Sequence, residues 1–166
     1  MDKLEALKQQ LLKALAFLKT YKKPMPDAPL EQPLPVPPPI ENKQTLQWDT
    51  PAEARHSARV IMDEMGLTGV VDRKTGLKAK DLLCAVIAAE SGFKVRAYNK
   101  NRNGSSDHGI VQMNTEFWIG PGKHFSSIEE VYNNPEKSIR FMVDAYKKGK
   151  LTWWYGFTNG SYKKYL

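Results

Sequence analysis

The chain has 166 residues, 41% of them apolar, with a net charge of +7 and a single cysteine. That length suits one modest core with some appended sequence and argues against a second full domain. Cys84 alone excludes an intramolecular disulfide and a cysteine-rich metal cluster, and no apolar run approaches the roughly 20 residues that span a bilayer.

Leu4, Leu11 and Leu18 recur every seven residues with Leu7, Ala14 and Leu15 beside them, which predicts an amphipathic helix over residues 1–23. Its apolar stripe either packs on the chain's own domain or serves a helix partner or a membrane surface. The same stretch makes a poor signal peptide, because Lys and Gln interrupt its leucines and no small-residue cleavage site follows. Residues 24–50 carry eight of the eleven prolines and read as an extended, semi-rigid linker.

A domain is expected over residues 51–166. Thr50, Pro51 and Glu53 supply a cap, a first-turn proline and a capping box. Ala54, Ala58, Ile61, Met62 and Met65 form the buried face of that helix, and Gly66 stops it. After a turn at VDRKTG, the stretch KAKDLLCAVIAAESG presents Ala79, Leu82, Leu83, Val86 and Ile87 on one stripe. The same spacing lands next on Glu90, so an inward-facing stripe ends in a carboxyl group just before Gly92. Asn103-Gly104, flanked by strand-like residues including Ile110, Val111 and Met113, predicts a small hairpin or three-stranded sheet. Ser126 with Glu129 caps a short helix. Asn134-Pro135 opens another with Ile139, Met142, Val143 and Tyr146 inward, ending at lysines and Gly149. The fold class is therefore α+β, mainly helical.

From residue 51 onward 18 Lys and Arg face 12 Asp and Glu, a surplus that favours an anionic partner. Nucleic acid, an anionic membrane and an acidic wall polymer all meet that description. Nucleic acid fits least, since the basic residues are scattered and form no tract with interleaved aromatics.

Two acids carry the chemical reading. A carboxyl at the C-terminal end of an apolar helix face loses solvation and meets the negative end of the helix dipole, and both raise its pKa. Glu90 is thus placed to hold a proton near neutrality and act as a general acid. Asp107 sits among Asn101, Asn103, Ser105 and Ser106, whose donors suit the ionised form. Acid pairs kept in such different surroundings are how glycosidases divide the roles of proton donor and of charge stabiliser or nucleophile.

The stretches ESGF at 90–93, AYNKNRNGSSDHGIVQMN at 97–114 and FW at 117–118 resemble the lysozyme-like glycosidases, a superfamily of chicken-type lysozymes and of bacterial and phage lytic transglycosylases. A weaker likeness runs on through NPEKSIRFM and WYGFTNGSYKKYL, and nothing before residue 50 takes part. The resemblance implies a lysozyme-like fold with its small sheet beside an active-site cleft. It also implies cleavage of the β-1,4 bond between N-acetylmuramic acid and N-acetylglucosamine in peptidoglycan, with no cofactor. Glu90 would protonate the glycosidic oxygen, and Asp107 would stabilise, or be attacked by, the oxocarbenium-like centre. In a lytic transglycosylase the same Glu serves as acid and then base, and the substrate's own 6-hydroxyl leaves a 1,6-anhydro end. Gln112 and Asn114 would hydrogen-bond the sugar, Phe117 and Trp118 would stack on it, and Asn99 and Asn101 would orient Asp107.

Three departures qualify the resemblance. Chicken-type enzymes carry disulfides that this chain lacks. FTNG puts Phe157 and Thr158 where the family has Tyr and Asn, which passes any role of that tyrosine hydroxyl to Tyr162. The absence of a signal-peptide pattern points to a phage lysin, a virion-mounted protein or a non-standard export route. Taken singly, Asp107 reads as a turn residue bonding nearby amides. The closing aromatics Trp153, Trp154, Phe157 and Tyr162 read mainly as core, with room for one to line a groove. His56, His108 and His124 show no metal-ligand spacing. A non-catalytic wall-binding module is the competing class of function.

Overall fold

The computed structural model describes residues 46–166, all within the second of the chain's two units, Lys43–Leu166. The expected helix over 1–23 and the proline-rich linker up to residue 45 lie outside the described residues. Leu46 and Trp48 pack against the core. Gln47 donates its N–H to Ser57 Oγ at 2.9 Å, and its carbonyl accepts from the same hydroxyl at 2.7 Å. Folded packing therefore begins ahead of residue 51.

Helix α1, Pro51–Glu64, starts where its capping box predicts. The Glu53 N–H donates to Thr50 Oγ1 at 3.2 Å while the Thr50 N–H donates to Glu53 Oε2 at 2.9 Å, so two of the orphan donors of the first turn are satisfied reciprocally. Ala54, Ala58, Ile61 and Met62 are buried as expected, and Met65 is half-buried. Helix α2, Ala79–Ser91, buries Ala79 and every residue from Leu82 to Ile87. It is apolar almost all round and is the central helix of the domain, with the predicted stripe as only one of its covered faces. Cys84 lies in this core, and burial pushes its thiol pKa up.

The sheet is antiparallel with strands in chain order: β1 Tyr98–Lys100, β2 Ser106–His108 and β3 Met113–Asn114. Its register sets Asn99 opposite Asp107 and Asp107 opposite Asn114, which makes one row across three strands. The β1–β2 connection spans residues 101–105, where Asn101 N–H donates to Ser105 O and Gly104 N–H donates to Asn101 O. Asn103-Gly104 thus sits inside a longer loop and does not form a two-residue turn. Ile110 and Val111 fall between β2 and β3 and are buried in the core, where they anchor the sheet to α2 without being strand residues.

Helix α3, Ile128–Asn133, is capped by Ser127, whose Oγ accepts from Glu130 N–H at 3.2 Å. The preceding Ser126 gives both its N–H and its hydroxyl to the Glu130 carboxylate. The cap is one residue later than the sequence suggests. Helix α4, Pro135–Lys147, buries Ile139, Met142 and Val143 and packs on α1. A 3₁₀ turn at Leu151–Trp153, the short helix α5 at Tyr155–Thr158 and a second 3₁₀ turn at Ser161–Tyr165 close the chain, the last packed along α2. The architecture is α+β and mainly helical. Among the described residues no helix is long and apolar enough to cross a membrane.

Gly109, two residues after Asp107, has φ +79°, and a Cβ there would lie 2.6 Å from Val131 Cγ1. Gly104 in the hairpin loop has φ +88° with nothing within 4 Å. Gly104→Ala should cost about 1–2 kcal/mol of left-handed backbone strain. Gly109→Ala should cost about 1–3 kcal/mol more, from overpacking against α3. Chemical denaturation of the two variants reads the difference.

Candidate active site

The four residues Glu90-Ser91-Gly92-Phe93 build the end of α2. Gly92 closes the helix in the left-handed region at φ +61°, and Phe93 follows at φ +63°. Holding a non-glycine residue there costs energy, which burial of the Phe93 ring offsets. Ser91 Oγ donates to Ile110 O at 2.6 Å and accepts the Phe93 N–H at 3.1 Å. The helix end is thereby stitched to the segment that follows β2, and Glu90 is left in the wall of a cavity it shares with Asp107.

Glu90 Oε1 accepts the backbone N–H of Gly156 at 2.6 Å. Desolvation raises the Glu90 pKa above the ordinary glutamate value; the Gly156 bond opposes that shift and the nearby charge of Asp107 adds to it. Burial at the helix end, one of the two influences the sequence suggests, is therefore the dominant one.

Asp107 is held by amides on both oxygens. Asn101 Nδ2 donates to Oδ2 at 2.9 Å and Asn114 Nδ2 donates to Oδ1 at 2.7 Å. Asn101 thus bonds the acid directly. Asn99, though directly across the ladder, acts at one remove through a 3.2 Å bond to Asn101 Oδ1. Asn114 reaches the acid itself, a role the sequence reading gave to contacts with sugar. On the other side of β2, His108 is buried between Ser106 Oγ at 2.8 Å and the Tyr132 hydroxyl at 2.7 Å, and desolvation lowers its pKa. It is a structural residue that fixes the strand carrying Asp107.

The cavity is lined by Glu90, Asp107, Gln112 and Asn114 together with Phe117 and Trp118. Of the expected site residues these six line the cavity, Asn101 bonds Asp107, and Asn99 reaches only Asn101. Tyr162 lies elsewhere. It is 7% exposed and stacks on Phe157 with ring centroids 5.4 Å apart, because the closing 3₁₀ turn carries it inward against α2. It does not line the cleft.

Gln112 stands at φ +55°, and its Nε2 donates back to Gly109 O at 3.0 Å. Phe117 is 61% exposed at the rim, while Trp118 packs against Trp153 and Phe141 at 4.9 and 4.8 Å. The opposite wall comes from the segment Trp153-Trp154-Tyr155-Gly156, of which sequence reasoning assigned Trp153 and Trp154 mainly to the core. Trp154 is buried and donates Nε1–H to Val111 O at 2.7 Å, whereas Trp153 and Tyr155 face the cleft and are 49% and 75% exposed. Gly156 permits the close approach: a Cβ would lie 2.9 Å from Glu90 Oε1 and 3.0 Å from Ala89 Cβ. The only signal for this wall is the density of aromatics ahead of a glycine.

The chain is 31% identical over 84 residues to "Lysozyme c-1" of Anopheles gambiae, covering 48% of this chain and 59% of that one. It is 39% identical over 70 residues to "Lysozyme C-1" of Anas platyrhynchos, covering 42% and 44%. The milk isozyme "Lysozyme C" of Equus caballus is 51% identical over 39 residues, or 23% and 30% of the two chains. The chain is lysozyme-like. It spans between 30% and 59% of the length of these relatives, and no model of a known family matches it. A crystal structure of lysozyme from Equus asinus aligns with 68% of this chain and 88% of that one at 22% identity, with a TM-score of 0.48, too loose a superposition to assign a fold.

In this lysozyme-like domain the raised pKa of Glu90 has a sign for stability. The fold binds that proton more tightly than the unfolded chain does. The stabilising contribution is full below the ordinary glutamate value and is lost as pH rises through the folded value. Glu90→Gln keeps an acceptor for Gly156 and removes the titration. The variant should melt with wild type at acid pH and above it at neutral and alkaline pH, as read from melting temperature against pH.

Proposed function

We propose that this domain is a glycosidase of the muramidase type, cleaving the β-1,4 bond between N-acetylmuramic acid and N-acetylglucosamine in peptidoglycan. One observation carries the reading: a desolvated Glu90, tethered through one oxygen, shares a cavity with an Asp107 held by two amides. Because Oε1 accepts the Gly156 N–H, Oε2 is the oxygen that carries the proton. Glu90 gives that proton to the glycosidic oxygen as the bond to the sugar carbon breaks. Asp107 stabilises the oxocarbenium-like carbon or bonds to it. Water then attacks that carbon, giving its proton to the Glu90 carboxylate and restoring the acid. Phe117, Trp153 and Tyr155 offer exposed aromatic faces for pyranose rings along the cleft. The wall-binding alternative leaves a desolvated acid and its tether without a purpose.

Glu90→Gln should lower wall clearing by a factor on the order of 10²–10⁴, the usual contribution of a general acid, while binding to the wall persists. Equal lytic rates in variant and wild type would exclude Glu90 as the acid. Mass spectrometry of the digest should show reducing muramic ends; 1,6-anhydro ends would make the protein a lytic transglycosylase. Asp107→Asn should then separate the same two outcomes, with a large loss for the hydrolase and a small one for the transglycosylase. The lytic rate should decline as pH rises through the elevated Glu90 pKa.

A further inference from the structure

The acid pair stands between two cavities of different chemistry. The first, about 420 Å³, is walled by Phe117, Trp118, Trp153 and Tyr155 and contains no cation. The second, about 800 Å³, runs past Lys94, Arg96, Tyr98 and Asn99. Glu90, Asp107, Gln112 and Tyr155 line both, so a long substrate lying over the acids enters both arms. Apart from the acid pair itself, the second arm holds two cations and no carboxylate.

The two cations differ. The Arg96 guanidinium donates to both oxygens of Glu129 at 3.1 and 3.2 Å and lies 4.7 Å from the Tyr132 ring centroid, so much of its charge is answered. Lys94 is exposed, and its ammonium enters no ion pair among the described residues. Its place is fixed by the buried Phe93 before it and by its own N–H donating to Ser91 O at 3.2 Å. A neutral glycan has nothing for such a cation to meet, whereas a glycan bearing acidic peptide branches does.

Building on the glycosidase reading above, we propose that Lys94, supported by Arg96, binds a carboxylate of the peptide branches carried by the glycan in the second arm. The cleft thereby prefers anionic strands over neutral ones. Exposed charge pairs are weak, so the expected preference is about two- to fivefold in kcat/KM, and it fades as salt screens the pair.

The test uses peptidoglycan strands with free branch carboxylates and the same strands after carboxyl amidation. Wild type should favour the free-acid strands by about two- to fivefold at low salt. Lys94→Gln should bring the ratio close to one. Lys148→Gln, which removes the same charge beyond the end of α4, should keep the wild-type ratio, and melting temperatures confirm that both variants fold. A wild-type ratio of one, or an unchanged ratio in Lys94→Gln, overturns the assignment and leaves the glycosidase reading standing. Cleavage of neither substrate by wild type overturns both.

Discussion

The bond between the Gly156 N–H and Glu90 Oε1 is the contact on which the site's chemistry depends. It joins the end of the central helix to a segment 66 residues further along the chain. A desolvated glutamate with no partner would rotate toward water and lose the environment that raises its pKa. A partner with a full positive charge would pull the pKa down and leave a carboxylate with no proton to give. A single neutral backbone donor fixes the side chain while opposing the desolvation that raises its pKa, the larger of the two influences. Gly156 is suited to this because any Cβ at that position would collide with the carboxyl group it holds.

That contact rests on others. Trp154 Nε1–H on Val111 O sets the segment that presents Gly156, and Ser91 Oγ on Ile110 O sets the helix end that presents Glu90. Both donate to the same short stretch, Ile110-Val111, which is buried between β2 and β3. The sheet continues from that stretch to Asp107 and its two asparagines. The two acids are thus referred to one piece of backbone, and the site's geometry is set by short hydrogen bonds between buried segments. Left-handed Phe93 and Gln112 lie on either side of this stretch, so the strain they carry is concentrated where positioning matters.

The legible parts of the molecule are those written in local spacing. The capping box of α1, the apolar run of α2 leading to Glu90 and the asparagines around Asp107 all depend on residues within a few positions of one another. Ser126 and Ser127 stand side by side, so composition could not choose the cap; Glu130, which bonds Ser126 while its N–H meets Ser127, decides it. Asn114 on Asp107 follows from the β2–β3 register, which the Asn103-Gly104 signal, lying between β1 and β2, does not give. Gly156 was out of reach for a different reason. Its contribution is a backbone N–H, which every non-proline residue has, so only tertiary placement makes it functional. Tyr162 and Tyr155 show the same limit from the other side. Both belong to one aromatic closing segment, and the inward turn onto α2 buries the first while leaving the second in the cleft.

The distribution of charge along the cleft follows from the same construction. The aromatic arm is built by the closing segment and the loop after β3, both of which must bury part of their rings to hold the wall together: Trp118 and Trp153 pack on one another at a tilt and both pack onto Phe141. Cations there would have to be desolvated against those rings. The other arm is built from the stretch between α2 and β1, which touches the core chiefly through Phe93 and leaves Lys94 and Arg96 in solvent. Charge is cheap in that arm because its wall is held by backbone and one buried ring, so cations are accommodated there without disturbing the acid. The reverse arrangement would set each added cation against the desolvation that raises the Glu90 pKa, since a positive charge near Glu90 lowers it. In the proposed reading, catalysis and selectivity are separable in this cleft because the acid's tether comes from the aromatic wall and the cations come from the opposite one.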